Sequence, residues 1–145
     1  MPIIAEMLAS NPAPTALDPG AVTEAIEACL EASAASTICA DACLAEDGVA
    51  ELRTCIRRDL DAADLLSASS AVLGRQVSVD LGLTRVVLET ATVAAKTCAE
   101  ECEKHAEMHV HCAVCAAACR RAEAACRALL EALRDRTRQP DVHRA

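Results

Sequence analysis

Apolar residues in this chain recur at steps of three and four over four long stretches. From Cys112 the pattern runs Cys115, Cys119, Ala122, Cys126, Leu129, Leu133, which places all of these side chains on one face of one helix. The same rhythm appears in Cys29, Ala32, Ser36, Cys39, Cys43, in Leu52, Cys55, Asp59, Ala62, Leu66, and in Leu88, Ala91, Ala95, Cys98, Cys102, His105. β-Branched runs and sustained alternation are missing, so no segment reads as a strand.

Punctuation between the stretches sets the elements. Residues 2–10 read as a short amphipathic helix, closed by Asn11-Pro12-Ala13-Pro14. Asp18-Pro19 supplies an N-cap and a first-turn proline for a helix reaching about Glu46. After the turn Asp47-Gly48, a second helix covers Val49 to Leu73 and stops at Gly74. A third runs from Asp80 to Lys104 and a fourth from His109 to Arg136, with Gln139-Pro140 ending regular structure. Helices of about 25 residues span about 37 Å, and short links make neighbours antiparallel. The expected fold is all-α: an up-down-up-down four-helix bundle over residues 18–136 with a short extra N-terminal helix. Residues 137–145 are expected to be a tail, and residues 1–145 a single domain.

Composition changes this ordinary picture. The 145 residues include ten cysteines and no Phe, Tyr or Trp, and much of the 53 % hydrophobic content is Ala and Cys. A stripe that would be leucine in a common bundle is here thiol and methyl. Such a core gains less from burial than a Leu/Phe core of equal length, which leaves the thiols to be explained by chemistry. The net charge of −8 argues against nucleic acid or an anionic membrane as partner. Arg127, Arg134, Arg136 and Arg138 read as cations complementing a helix C-terminal dipole. The N-terminus has no basic region followed by an apolar run, and no apolar stretch approaches membrane-spanning length. A cytoplasmic chain is expected, in which thiols stay reduced and point to metal rather than disulfides. Cysteines four apart on one helix face also meet disulfide geometry poorly.

In an antiparallel bundle the turns at 46–48 and 105–108 lie at one end. Measured from that end, Cys39 and Cys43 close the first long helix and Cys55 lies two turns into the second. Cys98 and Cys102 close the third, and Cys112, Cys115 and Cys119 open the fourth. Eight thiols therefore converge in one half of the core. At the mouth of the same end sit His105, Met108, His109 and His111. Thiolate, thioether and imidazole together make a ligand set for a soft cation such as Cu(I). Cys29 and Cys126 lie deeper, at similar depth on adjacent helices, and suggest a separate two-thiolate site. Asp59 lies on the inner stripe of the second helix, where a carboxylate needs a cation or hydrogen bonds; a rotated helix would put it in water.

The run Cys98-Ala-Glu-Glu-Cys102-Glu-Lys-His105-Ala-Glu-Met108-His109-Val-His111-Cys112-Ala-Val-Cys115-Ala-Ala-Ala-Cys119 resembles the cysteine-rich four-helix-bundle copper storage proteins of bacteria, in particular their cytosolic branch. Cys39-Ala-Asp-Ala-Cys43 and Cys55-Ile-Arg-Arg-Asp59 support the likeness, which covers roughly residues 20–135. The resemblance implies a homotetramer of bundles, several Cu(I) ions per monomer held by core thiolates, and His and Met where metal is taken in. Ala32, Ser36, Ala62, Leu66, Ala91, Ala95 and Ala122 stand where such a family would carry further cysteines. The resemblance therefore implies reduced capacity, confined to the mouth half.

Three rivals use the same residues. A structural or regulatory Zn²⁺ site needs only four ligands in tetrahedral array. Cys112, Cys115 and Cys119 with Cys102 could hold an Fe–S cluster, although such ligands usually sit on loops. A metal-free helical interaction module would leave the cysteines as small hydrophobes. No glycine-rich phosphate loop, carboxylate dyad or Gly-x-Ser-x-Gly is present, so no enzyme is expected.

Overall fold

A computed structural model describes residues 2–138, and the remainder of the expected tail lies outside the described residues. All regular structure among the described residues is helical: α1 (Ile3–Ala9), α2 (Pro19–Leu44), α3 (Arg53–Leu73), α4 (Leu81–Glu103) and α5 (Val110–Arg138). Two aspartates start the helices as their sequence context requires. Asp18 accepts from the Ala21 amide at 2.9 Å, and Asp80 accepts from the Leu83 amide at 2.9 Å. Pro19 occupies the first turn of α2, where its missing N–H costs nothing.

The second long helix differs from its expected start. Val49–Leu52 forms a 3₁₀ turn, and α-geometry begins only at Arg53. Gly48 at the cap position has no side chain to satisfy the first amides, so the turn tightens, with Glu51 N–H donating to Gly48 C=O at 3.1 Å. At the other end of the chain α5 runs through Arg138, because nothing before Pro140 breaks it.

Around the bundle the order is α2, α3, α4, α5, with α5 closing back onto α2 and α1 resting on α2. Consecutive helices are joined by short links, which gives the expected antiparallel four-helix bundle with its extra N-terminal helix. Two of the arginines near the C-terminus make ion pairs. Arg127 pairs with Glu123 at 3.7 Å, and Arg134 reaches Glu89 of α4 at 3.7 Å. Arg121 ties α5 to α2 through Glu24 and Glu31, at 3.0 and 2.9 Å.

The core has two chemically distinct halves. Val22, Ile26, Leu66, Leu73, Leu88, Leu129, Leu130 and Leu133 fill the end far from the 45–48 and 104–109 turns. The half nearer those turns is filled by cysteine, with Leu52 as its only buried leucine among the described residues. Small side chains (Ala32, Ala62, Ala91, Ala95, Ala122) lie between.

Candidate metal centre

All ten cysteines are buried and unpaired by disulfides. Each of the four long helices delivers thiols to the near half because its inner stripe carries Cys at steps of three or four. α2 brings Cys39 and Cys43, α3 brings Cys55, α4 brings Cys98 and Cys102, and α5 brings Cys112, Cys115 and Cys119.

Sulfurs from different helices meet directly. Cys55 and Cys102 are 3.7 Å apart, and Cys39 and Cys112 are 3.9 Å apart. Four groups in this region have all their ligand atoms within 4.8 Å of one another: Cys39–Cys43–His111–Cys112, Cys39–Cys43–Cys55–Asp59, Cys39–Asp59–Cys102–Cys115 and Cys98–Cys115–Cys119. Because the groups share Cys39, Cys43, Asp59 and Cys115, they form one continuous zone that contains all eight mouth-half thiols.

Asp59 stands at the centre of that zone with no exposure to solvent. Its Oδ1 lies 3.2, 3.4 and 3.5 Å from the sulfurs of Cys98, Cys102 and Cys115, within reach of whichever S–H turns toward it, and its Oδ2 lies 4.0 Å from Cys55 Sγ. Burial, and then the proximity of Cys115 and Cys55, push its carboxyl up to about 7. Ser36 borders the deep side of the zone, its Oγ 3.8, 3.7 and 3.6 Å from the sulfurs of Cys98, Cys115 and Cys119.

The thiols do not titrate alike. Cys102 and Cys119 are pushed well up, chiefly because each donates its S–H to Cys115. Cys115 is pulled down by accepting from Cys102 and Cys119, and Cys55 by accepting from Cys102 and Cys39. Burial first, and then the proximity of Cys55 and Asp59, push Cys43 up to about 11. Each negative charge formed among these close, buried sulfurs opposes the next. A soft cation that replaces the remaining protons removes that repulsion.

Cys29 and Cys126 form a separate pair in the aliphatic half, with sulfurs 3.4 Å apart. Cys29 is pushed up by donating to its partner and by burial, and Cys126 is pulled down by the same bond. The two thiols thus share one proton more readily than they lose both.

The mouth residues separate. His111 joins the thiols: its Nδ1 lies 3.4 Å from Cys39 Sγ and 3.6 Å from Cys112 Sγ. His109 groups instead with Glu46 and His111. His105 does not reach the cluster. Because α4 ends at Glu103, His105 lies in the turn rather than on the extrapolated stripe, and its Nε2 sits 3.3 Å from Glu101. Met108 is 82 % exposed, so its thioether is displayed to solvent at the mouth.

Two participants escaped the list of candidate ligands. Asp59 carried a readable signal, its place on the inner stripe of α3. Glu46 carried none beyond following α2 at the right end of the bundle.

A helical bundle with a continuous field of unpaired thiols in one half of its core, gathered around the buried carboxyl of Asp59, defines a binder of soft metal ions. Comparison with known proteins gives the class a name. Residues 19–131 match the copper storage protein family, Csp, and the chain belongs to that family. Among solved structures it is similar to the copper storage protein Ccsp of Streptomyces lividans loaded with 10 copper equivalents, at 45 % identity and a TM-score of 0.87, covering 89 % of this chain and 98 % of that one. A histidine-to-alanine variant of Ccsp matches at 47 % identity and a TM-score of 0.80, covering 81 % of this chain and 98 % of that one. The same Streptomyces lividans protein, described as a cytosolic copper storage protein with five coppers, matches at 48 % identity and a TM-score of 0.76, covering 77 % and 93 %. Among curated proteins no match to the sequence was found.

Proposed function

We propose that this protein stores and buffers Cu(I) without catalysing a reaction, holding several ions per monomer in the mouth-half thiolate zone. The observation that carries the reading is the continuous set of eight buried thiols from four helices, with His111 at its outer edge. Thiolates at these separations can bridge Cu(I), and a store needs many shared ligands rather than one closed tetrahedron. Cys29 and Cys126 add a separate two-thiolate site, and His105, Met108, His109 and His111 serve capture at the mouth. The ten cysteines and the seven substituted core positions set a reduced capacity. The chain works in the cytosol as a homo-oligomer, expected to be a tetramer, and takes neither nucleic acid nor membrane as partner. The cytosolic Streptomyces relative, the acidic charge, and the lack of any described helix long and apolar enough to cross a membrane support this.

One observation favours a second reading. Cys39, Cys43, Cys112 and His111 form a Cys₃His group of the kind that holds structural Zn²⁺. Zinc at that position would leave Cys55, Cys98, Cys102, Cys115 and Cys119 without a purpose.

Anaerobic titration of the reduced, metal-free protein with Cu(I) against a competing chelator decides between them. The expected stoichiometry exceeds about four ions per monomer, more than a Zn or Fe–S site accounts for. Replacing Cys98, Cys102, Cys115 and Cys119 by Ala abolishes most tight binding, whereas replacing Cys29 and Cys126 removes at most about one ion, the capacity of a two-ligand site. Equal losses from the two sets overturn the assignment of storage to the mouth half.

A further inference from the structure

The His111 ring stands between two environments. Its Nδ1 faces Cys39 and Cys112 at 3.4 and 3.6 Å, while its Nε2 is 3.0 Å from Glu46 Oε1. Glu46 follows α2 and reaches the start of α5. The same carboxylate oxygen lies 3.3 Å from Nδ1 of His109, and the two rings are stacked, with centroids 5.3 Å apart and planes 22° from parallel.

The proton in this arrangement can be placed. The Glu46 side chain is 34 % exposed, and a glutamate open to solvent is ionised at about pH 8. An ionised carboxylate only accepts hydrogen bonds. The proton in the 3.0 Å contact therefore sits on Nε2 of His111. In the neutral ring this leaves Nδ1 with a lone pair aimed at the Cys39 and Cys112 sulfurs. The opposite tautomer would turn an N–H toward those sulfurs and offer no lone pair to a metal. Imidazoles that bind metal through one nitrogen characteristically give the other N–H to a carboxylate or carbonyl, which fixes tautomer and ring orientation.

We propose that Glu46 is a positioning residue for metal uptake: by accepting the Nε2–H of His111 it keeps Nδ1 of that ring as an open donor over Cys39 and Cys112, and it holds His109 alongside. The purpose of that donor rests on the Cu(I) storage reading, whereas the tautomer is a property of the metal-free chain and is measured separately.

Long-range ¹H–¹⁵N spectra of imidazole-labelled, reduced, metal-free protein report the tautomer directly, at about pH 8, above the ordinary imidazole range. His111 is expected to show a protonated Nε2 and a bare Nδ1. Glu46→Ala should give the averaged signals of exchanging tautomers. Glu46→Gln, whose amide oxygen still accepts, should keep the wild-type pattern. Stopped-flow transfer of Cu(I) from a chelator should be about tenfold slower in Glu46→Ala, the usual consequence of losing such a partner. The rate should stay close to wild type in Glu46→Gln, with the final stoichiometry unchanged in both. An unchanged tautomer pattern in Glu46→Ala overturns the proposal, as does equal slowing in both variants, which would assign the effect to charge alone. Wild-type protein that takes up no Cu(I) at all would refute the storage reading while leaving the tautomer to the spectra.

Discussion

Asp59 is the residue whose placement matters most for the empty bundle. A carboxyl pushed from 3.8 up to about 7 keeps its proton in the folded chain at pH values where the unfolded chain has lost it. The folded state therefore binds the extra proton between about pH 4 and pH 7, and stability contributed by Asp59 is lost as pH rises through that window. Asp59→Asn removes the ionisation but keeps an acceptor for the surrounding S–H groups. In metal-free, reduced protein the variant should be more stable than wild type at about pH 8, by on the order of 2–4 kcal/mol, and the gap should close near pH 4. Denaturant melts at both pH values check this, and an equal gap at both refutes the titration argument. The same carboxylate gains a reason to ionise when a cation displaces the protons of Cys98, Cys102 and Cys115 around it.

The elements of this protein start on side chains and stop where side chains fail them. Asp18 and Asp80 each cap a long helix through one amide, whereas α3 has no side-chain cap and begins with a 3₁₀ turn. Asp18→Ala and Asp80→Ala should each cost about 1 kcal/mol of stability in denaturant unfolding. Their effects should add, because the caps serve different helices and share no partner. Neither should change Cu(I) stoichiometry, since both caps lie at the end of the bundle away from the mouth-half thiols. Element ends also decided the fate of His105. It stands one step of the stripe past Cys102, but α4 ends at Glu103 and a helical period has no meaning in the turn that follows.

For the molecule as a whole, the division of the core separates folding from binding. The aliphatic half, from Val22 and Ile26 across to Leu129 and Leu133, is buried and contributes none of the grouped ligands of the thiol half. With capped helices and ion pairs such as Arg121 with Glu24 and Glu31, it specifies the bundle independently of the cargo. Far-ultraviolet circular dichroism of reduced, chelator-treated protein should therefore show a strongly helical chain, unlike zinc fingers, which fold only with their metal. A coil spectrum that turns helical on adding Cu(I) would refute this separation. Binding then stabilises the fold further by mass action rather than creating it.

Much of this was legible along the chain. Steps of three and four, two capping aspartates and two tight links determine helices, hairpins and the depth of every cysteine along the bundle axis. That was sufficient to place eight thiols at one end and to set Cys29 and Cys126 level with each other. Periodicity fixes which residues share a face but not how far the helix is rotated about its own axis. Only packing settled that Asp59 faces the thiols rather than water, and that Ser36 borders them. Nor does periodicity describe a turn. The pairing of Glu46 with His109 and His111, the loss of His105 to Glu101 and the exposure of Met108 all arise where the chain leaves helical geometry. Tertiary structure decided these because they depend on how two turns, some sixty residues apart in sequence, meet at one end of the bundle.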